Sequence, residues 1–207
     1  MQPPDVVEIR VLGCLIEKQR TTPDVYPLSL NSLRLACNQA TNREPVVDYD
    51  ERTIRDALQR LAQRRWTRLT SAAGSRAAKY RHLLDETLDL KQPELSVLAV
   101  LMLRGPQTPG ELKTRTERLS PFARLDDLLA TLDGLAGRRL VERLERRPGQ
   151  KEERWIQLLG GVSTEAEPPD GSTPAPVRSD RLAELEERVR RLEEQIASLV
   201  ARHPPSA

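Results

Sequence analysis

Apolar positions recur at helical spacing in six stretches of the first 159 residues, and after every third stretch the spacing changes to two. In the first set, Ile9, Leu12, Leu15 and Ile16 share one face of a helix predicted over 5–20. Leu30, Leu33, Cys37 and Ala40 form the stripe of a second helix over 30–40, with Ser29 or Asn31 as candidate N-caps. Residues 26–28, just before it, suit a short strand. Pro45 interrupts the helical pattern, and Ile54, Leu58 and Leu61 mark a third helix over 51–65. Segments 67–71 and 77–83 then flank Ala73, Gly74 and Ser75, the pattern of a hairpin. The second set predicts helices over 94–104, 109–118 and 122–137, and a hairpin over 140–159 turning at Arg147, Pro148 and Gly149.

The two sets are copies. LQRLAQRRW at 58–66 resembles LDGLAGRRL at 132–140, and KYRHLL at 79–84 resembles RWIQLL at 154–159. Glu8, Val11, Leu12 and Leu15 correspond to Glu94, Val97, Leu98 and Leu101. The offset falls from 86 to 74 in between, so the first copy carries about a dozen extra residues ahead of its third helix. The expected organisation is domain 1 over 1–91, domain 2 over 92–159, a disordered linker over 160–179 and a coiled-coil helix over 180–202. Three helices closed by a hairpin is the order of a winged helix-turn-helix. The expected fold class is therefore mainly α with small β-hairpins, two such domains in tandem.

The stretches GCLIEKQRTTPDVYPLSLNSLRLACNQATNREPVV at 13–47 and LMLRGPQTPGEL at 101–112 resemble the YceH-like family of bacterial proteins. The resemblance covers the whole body and implies two winged-helix domains, with a short charged C-terminal helix. It implies no biochemical activity and supplies no catalytic residue.

Charge changes the picture only locally. The chain has 33 basic and 31 acidic residues, a formal net charge of +2, yet residues 60–82 hold seven basic groups and no acid. That run covers the end of the third helix and the hairpin. On the helix itself Arg52, Gln59 and Gln63 face solvent, with Arg55 and Arg60 on the flanks. Arg pairs with the guanine edge and Gln with the adenine edge in the major groove. Asp56, on the same face, would repel phosphate. In the hairpin Lys79 and Arg81 alternate to one side and Arg76 sits near the tip, placed for phosphate contact. Tyr80 corresponds to Trp155, which makes that position packing beneath the wing.

The second copy differs in charge. Asp126, Asp127 and Asp133 on its third helix, and a hairpin of mixed sign, suit a protein partner better than DNA. The polar run Asn38, Gln39, Thr41, Asn42, Arg43 and Glu44 suits local turn hydrogen bonds, with an effector site as the rival reading.

Enzyme chemistry finds little support. There are two histidines, His82 and His203, no glycine-rich phosphate loop and no CxxC pair, so no catalytic residue, metal or cofactor is expected. Cys37 falls on an apolar stripe and Cys14 faces a neighbouring element. No apolar run reaches the roughly 20 residues of a membrane span, and a cytoplasmic protein is expected.

Beyond the body, Leu182, Leu185, Val189, Leu192, Ile196 and Leu199 follow a strict heptad pattern. Val and Ile at a, with Leu at d, predict a parallel homodimer; a helix folded back on the body is the rival. The expected function is regulatory binding of double-stranded DNA through domain 1. A non-enzymatic protein-interaction scaffold, or a small-molecule sensor, are the alternatives.

Overall fold

The computed structural model describes residues 2–70, 78–146 and 152–160. The linker beyond Gly160 and the heptad segment lie outside the described residues, as do Arg76 and both hairpin tips. The described part is mainly α, with seven helices and two small antiparallel sheets.

The first repeat contains α1 (Val6–Thr21), β1 (Leu28–Ser29), α2 (Leu30–Cys37), α3 (Glu51–Gln63), β2 (Thr67–Thr70) and β3 (Lys79–His82). A short helix, α4 (Leu84–Leu88), leads to the second repeat. That repeat has α5 (Gln92–Arg104), α6 (Pro109–Thr116), α7 (Leu125–Gly137), β4 (Val141–Leu144) and β5 (Arg154–Gln157). Capping fixes several starts. The Asp5 carboxylate accepts from the Glu8 N–H at 2.8 Å while Glu8 accepts from the Asp5 N–H at 3.0 Å, and Thr108 and Glu111 repeat that reciprocal pair on α6. Ser29 caps α2 and Asp50 caps α3.

One departure from the sequence pattern concerns α1. The spacing predicts one buried face, yet every residue from Glu8 to Ile16 is buried. The reason is tertiary: α2, α3 and α5 all pack against it. Helix α5 is likewise buried throughout from Leu95 to Leu103. Gly13 lets the two first helices meet, since a Cβ there would lie 3.0 Å from Leu103 Cγ and Met102 Cβ. The apolar side chains of both repeats consequently form one continuous core within a compact unit, Met1–Ser163.

The extra residues of the first copy are spread over three places. Helix α1 has 16 residues against 13 in α5, a 3-10 turn (Pro23–Val25) precedes β1, and the α2–α3 connection, 38–50, is longer than its counterpart, 117–124. The turn and α4 were not expected from the pattern; each is too short to show a period.

Candidate nucleic-acid interface

Helix α3 presents to solvent the face the sequence predicts. Ile54, Ala57, Leu58 and Leu61 are buried, and Arg52, Arg55, Asp56, Gln59 and Gln63 are exposed. The Arg52 side chain is 87% exposed and stands 4.0 Å from Asp56; Arg55 stands 4.0 Å from Glu51. Such exposed pairs are worth a few tenths of a kcal/mol, so a phosphate or base edge competes with them easily. Arg60 is placed differently. It bonds Asp5 at 2.7 Å and the buried Glu8 at 3.3 Å, and Arg64 joins Glu8 at 3.4 Å. These two guanidiniums fasten α3 to the start of α1.

The three-stranded sheet has the order β1-β3-β2 and is antiparallel throughout. Register sorts its side chains. Thr67 pairs with His82 and both are buried, so that face looks into the core, and Tyr80, opposite Leu69 and Leu28, lies on the same side. The other face carries Arg68 directly across from Arg81, and Lys79 beside Thr70 and Ser29. Arg81 also bonds Glu86 of α4. Among the described residues neither Arg68 nor Lys79 has a carboxylate partner. Arg68 is absent from the sequence-derived set although it sits in the same basic run. The signal was available: period-two alternation starting from the apolar register of 67 and 69 puts 68 on the outer face with 81.

His82 anchors the sheet. Its Nε2 bonds Gln19 Oε1 at 2.7 Å, its Nδ1 accepts from the Leu84 N–H at 3.3 Å, and its own N–H donates to Tyr26 Oη at 2.9 Å. Burial pushes the imidazole down to about 4, against the opposing pull of Asp85. The same kind of burial pushes Tyr26 up to about 12.

Comparison with known proteins places this framework. Residues 5–150 match a family described as "Protein of unknown function, DUF480". The chain belongs to that family. It is similar to a UPF0502 protein of Geotalea uraniireducens (strain Rf4), 49% identical over 197 residues that cover 94% of this chain and 89% of the relative. A UPF0502 protein of Pelobacter propionicus is 50% identical over 200 residues, 93% of this chain and 91% of the relative. One from Shewanella loihica is 43% identical over 198 residues, 93% and 92% respectively. The YceH-like resemblance agrees with this membership.

In this DUF480 chain the polar run at 38–44 is a bracket between the repeats. Arg43, its side chain wholly buried, donates to Glu17 Oε2 at 2.5 Å, to Gln39 Oε1 at 2.9 Å and to the Ala36 carbonyl at 3.0 Å. Asn38 ties the run to Tyr49, whose N–H donates to Asn38 Oδ1 at 2.9 Å. The Glu44 N–H donates to the Leu103 carbonyl of α5 at 2.8 Å, and Arg104 bonds Asn42. The bonds of Arg43 to Gln39 and Ala36, and of Asn38 to Tyr49, are local; those to Glu17, Leu103 and Arg104 reach α1 and α5, further than the turn-local bonding expected from the sequence. The described residues contain no cluster of three or more metal-ligating side chains, and no helix among them is long and apolar enough to cross a membrane.

Proposed function

We propose that the protein is a non-enzymatic, regulatory DNA-binding protein, each repeat being a winged helix-turn-helix and the first making the contact. Arg52, Gln59 and Gln63 on α3 are assigned to base edges. Arg68, Lys79 and Arg81 on the sheet, and Arg55 beside them in charge, are assigned to phosphates. The observation that supports this best is Arg68 directly opposite Arg81. Like charges facing each other across two strands weaken a sheet; Glu86 offsets Arg81, and an anion beside Arg68 would offset the other charge. The equivalent pair in the second repeat is Glu142 opposite Ile156, so the fold does not require the arrangement.

A second assignment concerns the second repeat. Helix α7 carries Asp126 and Asp127 beside Leu125, an apolar side chain 42% exposed. That surface suits a protein partner, the role a scaffold would use. The parallel homodimer rests on the heptads at 180–202 alone.

The test is duplex binding by the full chain at increasing salt. Four phosphate contacts should give a log–log slope of about −3 to −4. Arg68→Glu with Arg81→Glu should abolish binding to every sequence, whereas Gln59→Ala should weaken the preferred site by about 1–3 kcal/mol and random duplex hardly at all. Absence of binding at micromolar protein and low salt would overturn the DNA reading and leave the scaffold.

A further inference from the structure

Asp56 stands where the fold asks for no acid. It lies in the middle of α3, its side chain 52% exposed, on the outer face between Arg52 and Gln59. Aspartate is among the weaker helix formers away from a helix start. The acids around it have structural tasks. Asp50 caps the helix, Glu51 sits in the first turn, where negative charge is favoured, and Asp5 and Glu8 hold Arg60 and Arg64. Asp56 stands 4.0 Å from Arg52, beyond hydrogen-bonding distance, which leaves its carboxylate able to accept from outside the chain. The aligned position of α7 is Ala130, also exposed. Alanine is the best helix former, so the framework is satisfied without a carboxylate here.

On the DNA reading proposed above, the centre of this face meets base edges, while phosphates lie along its flanks. An ionised carboxylate only accepts hydrogen bonds, so most base edges repel it. Guanine offers O6 and N7, both acceptors, and thymine offers O4 and a methyl group. Adenine sets its N7 acceptor beside its N6 amino group. Cytosine presents the N4 amino group with no acceptor of its own beside it in the groove. Its pairing partner, guanine, is the base that arginine matches best, through O6 and N7. Arg52 lies one turn from Asp56 on the same face.

We propose that Asp56 is a specificity-determining residue which accepts a hydrogen bond from a cytosine N4 amino group, with Arg52 on the guanine edge beside it; this rests on the DNA reading and adds a base to it. The preferred site then contains a G·C pair in one fixed orientation beneath the middle of α3. Away from that site the same carboxylate meets no donor and repels phosphate, which lowers affinity for random duplex.

The test uses the full-length chain and the duplex it selects from a random library, each position then being changed in turn to all four bases. One position should favour cytosine by about ten- to a hundredfold. Asp56→Ala should level the four bases there, keep the preferences elsewhere, and bind random duplex more tightly than the wild type. Asp56→Asn should move the preference at that position from cytosine to adenine, because an amide pairs with N6 and N7 together. A charge that merely repelled phosphate would raise affinity in both variants and shift no base preference. N4-methylcytosine at the same position keeps its pairing but loses the N–H in the groove. It should weaken binding by the unaltered protein to a similar degree, so the test stands even if a variant misfolds. Absence of binding to any duplex would overturn the DNA reading and this assignment with it. Equal binding of all sequences, or a cytosine preference that Asp56→Ala and N4-methylation leave unchanged, would overturn the assignment alone.

Discussion

The two repeats share a framework and differ in what they do with it. Helices α3 and α7 have the same length, and each is followed by an arginine in the left-handed region, Arg65 at φ 61° and Arg139 at φ 57°. Leu28 pairs with Tyr80 in the first repeat, and Gln107 bridges to Trp155 in the second, so even the stub of β1 has its counterpart. The outer sheet faces differ: Arg68 and Arg81 in one, Glu142 and Ile156 in the other. The first repeat also owns the 38–50 connection, and that connection reaches onto α5 of the second. Framework positions are set by backbone geometry and core packing, which both copies must satisfy. The faces free of that demand are where the copies have diverged, and there the search for function belongs.

The bracket offers the sharpest way to break the comparison, because the second repeat has no equivalent of Glu17 and Arg43. Removing one partner of a buried ion pair strands the other charge, at about 3–5 kcal/mol. Glu17→Leu should therefore lower stability by about 3–5 kcal/mol in urea unfolding. Replacing both partners, as Glu17→Leu with Arg43→Met, should recover much of that loss, because no buried charge remains. Equal stability of the single variant and the wild type would show the pair to be ornamental.

The next effect separates His82 from Gln157, which occupies the matching place on β5. His82 is neutral when folded, its pKa lowered to about 4, chiefly by burial. An unfolded histidine binds a proton below about 6.5. Between these values the unfolded chain holds more protons, so stability is complete above about 6.5 and is lost as pH falls toward about 4. From pH 7 to pH 5 the wild type should lose about 2 kcal/mol more than His82→Gln. Urea midpoints at the two pH values measure it, and parallel losses in both proteins would assign the acid sensitivity elsewhere.

Much of the framework was legible in the sequence because it is written in periodicity. The six long helices follow apolar spacing, Ser29 and Thr108 announce their helices, and the alignment of LQRLAQRRW with LDGLAGRRL exposes the repeat. The full encirclement of α1 was not legible, since Val11 looks like a flank position, although Cys14, nearly opposite Leu12, reads as facing a neighbouring element. Nor were the roles of individual arginines. Arg43, Arg60 and Arg81 are chemically alike, and only the placement of Glu17, Glu8 and Glu86, far off or on another element, decides which are fastened. Long-range pairing leaves no local mark. Arg68, by contrast, was readable from strand alternation alone.

The smallest effect concerns how the two third helices begin. Helix α3 starts at Asp50, whose carboxylate accepts from the Thr53 N–H at 2.7 Å. Helix α7 starts at Arg124, which offers no acceptor; there Asp127 reaches back to the Arg124 N–H at 3.0 Å. An acidic N-cap satisfies an orphan donor and opposes the positive end of the helix dipole, so losing it costs about 1 kcal/mol. Arg124 forgoes both gains, and its guanidinium turns to Asp126 at 2.6 Å. Asp50→Ala should then destabilise the protein by about 1 kcal/mol, whereas Arg124→Ala, with no cap to lose, should cost no more than a few tenths. Arg124→Asp should go the other way and stabilise, provided the new carboxylate reaches the Asp127 N–H. Paired urea titrations of the three variants read the difference directly. If Asp50→Ala and Arg124→Ala cost the same, the two helices start on equal terms and capping does not distinguish the repeats.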